Sequence, residues 1–271
     1  MLRLLFVLLL AATVTAADTI PANGGDIVIT PLIHSSVQIE HAGKVIQVDP
    51  WSIGDLSQAK PADVILITDD VGHHLDVKAI EKLRKPGAPV VMPASGQKRI
   101  PDGIVLANGA VADQKSLYEA RGLKGGLLQP GLSIESIAAY DIKPGAPEHP
   151  KGDANGYVLS VGGKRIYFAG VTECVPEVRA LKNIDVAFMP MNIPVGRMTP
   201  KAAAECTKAI NPKVVYVYHY DQDFASRAVN PTAKLSDGVN RESPDLGLQE
   251  FANELKGTSI EFKRGAWYPK K

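Results

Sequence analysis

The segment Asp63-Val64-Ile65-Leu66-Ile67-Thr68 constrains this chain more than any other. After its first residue it is nearly all apolar and rich in β-branched side chains, so it reads as a strand buried on both faces. Asp69-Asp70-Val71-Gly72-His73-His74 follows at once. A helix comes next, with Val77, Ile80 and Leu83 on one face and Lys85-Pro86-Gly87 as its stop. Pro89-Val90-Val91-Met92 is the next strand. This strand–loop–helix–strand unit points to an α/β fold. It puts ionisable residues at the carboxyl end of its first strand, where α/β sheets commonly hold ligands.

The rest of the chain extends the same pattern. Asp26 to Thr30 reads as a strand. Ser36 to Glu40 alternates polar and apolar, His41-Ala42-Gly43-Lys44 turns, and Val45 to Val48 returns before Asp49-Pro50-Trp51, which makes a hairpin with one buried face. Residues 94–131 are Gly-rich and weakly periodic, and support only some short strands. Tyr157 to Val161 and Arg165 to Ala169 form a second hairpin about Gly162-Gly163. Asp185 to Met189 is another buried strand. Thr199 is a good N-cap with Pro200 at the first helical position, and Asn211-Pro212 ends that helix. Val214 to Tyr218 is a strand that runs into His219. A helix over about 245–256 and a strand over 259–262 close the chain. Two β-rich halves, each with helices, predict a four-layer αββα sandwich: two mixed β-sheets flanked by helices, with the residues after the strand ends gathered along one edge.

The N-terminus stands apart. One positive charge at Arg3, an apolar run from Leu4 to Ala12 and Val14-Thr15-Ala16 before a cleavage point predict a signal peptide over residues 1–16. Residues 17–271 are then expected to form a single secreted or periplasmic domain. No other segment is long and apolar enough for a stable membrane span. The net charge of +1, without a basic stripe, sets nucleic acid aside as a partner and leaves a small-molecule substrate or ligand. Cys174 and Cys206 form a disulfide in an oxidising compartment or are two small buried residues; their spacing excludes a zinc knuckle.

His73, His74, His149 and His219 each follow a strand or lie in a loop, while His34 and His41 belong to the first hairpin and His34 reads as structural. The segment from Ile67 to Asp76 resembles the T-H-x-H-x-D-H-L-D signature of metallo-β-lactamase-fold hydrolases. Ile33-His34-Ser35-Ser36 with Val48-Asp49-Pro50-Trp51 resembles the opening hairpin of the branch that includes L-ascorbate-6-phosphate lactonase. Glu148-His149-Pro150-Lys151-Gly152, Tyr167-Phe168-Ala169-Gly170-Val171-Thr172 and Tyr216-Val217-Tyr218-His219-Tyr220 are similar to later segments of that branch, in the same order.

The resemblance implies a metal site, and the site is degenerate. The first two signature histidines correspond to Asp69 and Val71, the signature aspartate to His73, and the aspartate that bridges two metals to Val171. His74, His149 and His219 keep the expected residue. Valine offers no ligand atom, so a two-metal clamp is not expected. His73, His74 and His219 offer three imidazoles for one zinc ion, with Asp69 and His149 as further ligands or as the acid–base groups. The implied function is hydrolysis of a lactone, ester or phosphoester with one metal at most. The alternative is a non-catalytic ligand-binding protein that has lost its metal, and a metal-free His/Asp acid–base enzyme ranks behind both.

Overall fold

The computed structural model describes residues 17–54, 56–120, 122, 131–145, 147–192, 197–221, 232 and 244–267. Residues 1–16, where the export signal is expected, lie outside the described residues. The first sheet contains β1 (Asp18–Ile20), β2 (Ile27–Ile33), β3 (Ser36–His41), β4 (Lys44–Val48), β5 (Val64–Leu66), β6 (Val90–Met92) and β7 (Ile104–Val105). They lie side by side in chain order. Pairing is antiparallel from β1 to β4 and parallel from β4 to β7.

The second sheet repeats this plan. It contains β8 (Val111–Asp113), β9 (Ser133–Ala139), β10 (Ala154–Val161), β11 (Lys164–Phe168), β12 (Val186–Pro190), β13 (Val214–Tyr218) and β14 (Glu261–Lys263), again neighbours in chain order. Pairing is antiparallel up to β11 and parallel from there on. Among the described residues, the α-helices are α1 (Val77–Leu83), α2 (Gln114–Glu119), α3 (Pro176–Arg179), α4 (Pro200–Ile210) and α5 (Pro244–Glu254).

Strand alternation decides which side chains meet. In β5, Val64 and Leu66 enter the cluster between the sheets, while Ile65 and the following Ile67 pack outward with Ile80 of α1. Both faces are therefore covered, as the continuous apolar run required. Opposite them, Phe168, Phe188 and Tyr216 come from adjacent strands and stack at 4.9 and 4.8 Å between centroids. The outer face of the second sheet, including Tyr167, Ala187, Met189, Val215 and Val217, lies under residues of α3, α4 and α5. Among the described residues, no helix is long and apolar enough to cross a membrane.

Local signals set most helix ends. Asp76 caps α1, accepting from the Lys78 and Ala79 amides at 2.9 and 3.3 Å. Thr199 caps α4, Pro200 occupies its first turn, and Asn211 closes it in the left-handed region. The Gly-rich middle holds more than short strands. A 3₁₀ segment over Ala94–Lys98 and α2, started by a reciprocal Asp113–Ser116 cap, are ordered there as well. The last strand begins at Glu261 rather than at Ser259. Cys174, after β11, is disulfide-bonded to Cys206 on α4.

Candidate metal centre

Six chain segments end at one edge of the sandwich. They leave β2, β4, β5, β11, β12 and β13. Three of them place a non-glycine residue at positive φ: His34 at 54°, Asp49 at 44° and His219 at 58°. Such conformations cost free energy and persist only where their surroundings hold them. The holding contacts are visible. The Asp49 amide donates to Leu66 O at 2.9 Å and the His219 amide to His34 O at 3.1 Å. The Asn155 amide reaches across the sandwich to Thr68 O at 2.8 Å, and the Tyr157 hydroxyl to Ile67 O at 2.9 Å. Gly170, at φ 67°, has no room for a Cβ, which would sit 2.9 Å from Asn155 O. The edge is thus pinned by both sheets.

Four histidines converge there. His34, His73, His74 and His219 each offer a ring nitrogen, and these atoms all lie within 4.8 Å of one another. Nε2 of His74 and Nε2 of His219 face each other at 3.1 Å. The other ring nitrogen of two members is held by a carboxylate: His74 Nδ1 lies 2.6 Å from Asp49 Oδ2, and His34 Nδ1 lies 2.8 Å from Asp221 Oδ1. Asp49 is fully buried and also accepts from the Thr68 amide and hydroxyl, at 2.8 and 2.5 Å. Its carboxylate therefore takes the Nδ1–H of His74 and leaves Nε2 as a lone pair. The same logic applied to His34 leaves its Nε2 as a lone pair, and that atom is buried with no hydrogen-bond partner among the described residues.

Burial disfavours the charged form of His34, His73 and His219. It outweighs the Asp221 hydrogen bond at His34 and holds that pKa below the ordinary imidazole value. Burial, and then the neighbouring rings His34, His74 and His73, hold His219 well below it. His73, the partly exposed member, is lowered by burial and by His74, His34 and His149. Converging imidazoles, two of them carboxylate-held from behind and one with a buried unpaired Nε2, fit a divalent cation that takes nitrogen ligands. Trp51 stands beside them, its ring 5.6 Å from His34 and 5.9 Å from His73.

Asp69 and His149 lie outside this group and pair with each other, His149 Nδ1 at 3.0 Å from Asp69 Oδ2. Burial opposes the charged form of His149, but the hydrogen bond and charge of Asp69 and the charge of Asp141 prevail and raise its pKa. Burial likewise opposes the Asp69 carboxylate, yet the His149 hydrogen bond and the nearby imidazoles lower its pKa. Arg197 ion-pairs with Asp141 at 2.8 Å and with Glu148 at 3.1 Å. His149, Val171, Thr172, Asn192, Arg197 and His219 line a small cavity between the two groups.

Of the residues expected from sequence, His73, His74 and His219 come together. Asp69 and His149 meet beside them as a separate pair. His34, read from sequence as structural, sits in the histidine group. It lies in the turn before Ser35-Ser36, and Ser36 Oγ donates to Asp49 O, which ties that turn to the end of β4. Asp221 and Asn192 carried no signal of their own.

The comparisons with known proteins agree with this architecture. The sequence profile described as the beta-lactamase superfamily domain matches residues 28–219. A UPF0173 metal-dependent hydrolase of Aeropyrum pernix is 28% identical over 200 residues, 71% of this chain and 81% of that protein. One from Thermodesulfovibrio yellowstonii is 28% identical over 224 residues, 73% and 80% of the two chains. A crystal structure of a candidate metal-dependent hydrolase from Parabacteroides distasonis is 31% identical with a TM-score of 0.73, over 93% of this chain and 98% of that one. Igni18, a metallo hydrolase of Ignicoccus hospitalis, shares the fold at 20% identity and a TM-score of 0.61, over 88% and 94%.

Proposed function

The chain belongs to the beta-lactamase superfamily, and from that premise we propose that it is an exported hydrolase dependent on one divalent metal ion. The observation that carries this reading is the convergence of His34, His73, His74 and His219 with carboxylates behind two of the rings. These four residues would hold the ion. Val71 and Val171 stand where the resemblance places two further ligands, so a second ion has no seat. Zinc is the first choice for a set of imidazoles.

When bound, such an ion polarises a carbonyl or phosphoryl oxygen and makes water more acidic. The protein's own groups do the remainder. Asp49 and Asp221 fix the orientation of His74 and His34. Asp69, 3.0 Å from His149 Nδ1, favours the protonated ring, and Nε2 is then the atom that gives a proton to the departing oxygen of the substrate. Trp51 presents an aromatic face beside the centre. The likeness of the opening hairpin to the lactonase branch puts lactones first among substrates, ahead of esters and phosphoesters. Export is supported by the Cys174–Cys206 disulfide, a bond typical of oxidising compartments.

The test compares two alanine variants for zinc binding and for hydrolysis of a panel of lactones, esters and phosphoesters. His34→Ala is expected to lose zinc and hydrolysis together. His149→Ala is expected to keep zinc while turnover falls by about 10²–10⁴-fold. A second reading, a ligand-binding relative without catalysis, is favoured by the loss of ligand atoms at Val71 and Val171. It prevails if the zinc-loaded wild type hydrolyses nothing in the panel.

A further inference from the structure

The parallel pair β12–β13 leaves two polar residues at the same point of the edge. Pro190 is registered with Tyr218, and the Met191 amide donates to Tyr218 O at 3.1 Å. Asn192 and His219 follow directly, and both line the small cavity beside the histidine group. Asn192 Oδ1 and His219 Nδ1 are both buried, and neither has a hydrogen-bond partner among the described residues. A buried polar atom left without a partner carries an uncompensated desolvation cost, so two on residues that line one cavity call for a shared partner. The cavity measures about 20 Å³. A water needs roughly 10–15 Å³ by this measure, and polar partners to hold it.

We propose that one ordered water bridges Asn192 Oδ1 and His219 Nδ1, and that Asn192 is through it a positioning residue for His219. The proposal rests on the reading that the histidines hold an ion.

The water lets His219 serve two states. Asp49 keeps the proton of His74 on Nδ1, so His74 Nε2 is a lone pair facing His219 Nε2 at 3.1 Å. In the metal-free protein His219 carries its proton on Nε2, donates it to His74, and accepts at Nδ1 from the water. If the two rings are to hold an ion, both Nε2 atoms must present lone pairs to it. The His219 proton then sits on Nδ1 and is donated to the water. The ring stays neutral in both states, and one proton changes place between its two nitrogens with no net gain or release. Asn192 Oδ1 accepts from the water throughout. It anchors the water while the water turns from donor to acceptor.

The experiment measures the zinc dissociation constant of the full chain by competition with a chromophoric chelator, for wild type, Asn192→Ala and Asn192→Asp. Asn192→Ala is expected to weaken zinc binding by about 10–100-fold, as for other residues that orient a ligand from behind. Asn192→Asp keeps an oxygen at the same place and is expected to stay within about threefold of wild type. The melting temperature of metal-free Asn192→Ala reports whether the fold itself has suffered. In ¹⁵N-histidine spectra of the zinc-loaded wild type, the His219 proton is expected on Nδ1 and protected from exchange, with the protection lost in Asn192→Ala. Equal affinities in wild type and Asn192→Ala, or equal losses in both variants, would overturn the proposal alone. A wild-type chain that takes up no zinc would overturn the metal reading, and the proposal with it.

Discussion

Asp49→Asn is the most informative single change behind the centre. The residue sits at φ 44°, a conformation asparagine adopts readily, so the substitution leaves the backbone in place and alters only the carboxylate. Asn Oδ1 can still accept from the Thr68 amide, now 2.8 Å from Asp49 Oδ1. The new NH₂ group replaces Oδ2, which at present accepts from the Thr68 hydroxyl at 2.5 Å and from His74 Nδ1 at 2.6 Å. Both contacts become donor against donor. Two hydrogen bonds to a charged group are worth about 1.5–3 kcal/mol each, and the Thr68 hydroxyl can turn away to recover part of its share. A net loss of about 3 kcal/mol lowers the melting temperature by about 6–12 °C in a chain of this size. His74 also loses the partner that keeps its proton off Nε2, so the zinc dissociation constant should rise by about 10–100-fold. Differential scanning calorimetry of the metal-free protein and chelator competition read the two effects separately. A variant that melts with wild type and binds zinc within twofold of it would mean that Asp49 does not hold His74 in place.

Two further outcomes follow from the same geometry. His149 has a raised pKa, so its share of stability is complete below the ordinary imidazole range and is lost as pH rises through the raised value; Asp69 has a lowered pKa, so its share is present above the ordinary carboxylate range and is lost as pH falls. Asp69→Asn should therefore destabilise most between about pH 4 and about pH 6.5 and least in alkaline solution; a gap in urea midpoint that does not vary with pH would contradict the pairing. The Cys174–Cys206 bond closes a loop of 32 residues, worth about 3–4 kcal/mol from chain entropy. Cys174→Ala with Cys206→Ala should lower the denaturation midpoint accordingly, and an unchanged midpoint would mean that the bond does not form in solution.

The sheets were legible in the sequence because their strands are short apolar runs bounded by turns. The run from Val64 to Ile67 announces a strand covered on both faces, and the structure covers it from the inner core and from α1. The middle was harder. The burial of α2 rests on Leu117 and Tyr118 alone, too few residues for a helical period to stand out. In the site, His73, His74 and His219 were legible because each follows a strand at the ligand-holding edge. His34 was not: as a turn residue in the left-handed region it resembles any hairpin corner, and only the neighbour relation of β2, β3 and β4 brings it to the others. Asp221 and Asn192 lie just beyond strand ends, and their roles depend on which strands are adjacent, a property no local pattern encodes.

Whether four histidines, His34 among them, hold one ion is read by elemental analysis of the chain, purified without chelators or a histidine tag and supplied with zinc. One metal per chain is expected, lost in His34→Ala as fully as in His74→Ala and His219→Ala and retained in His149→Ala. No metal, two metals, or a His34→Ala variant that keeps its ion would contradict it.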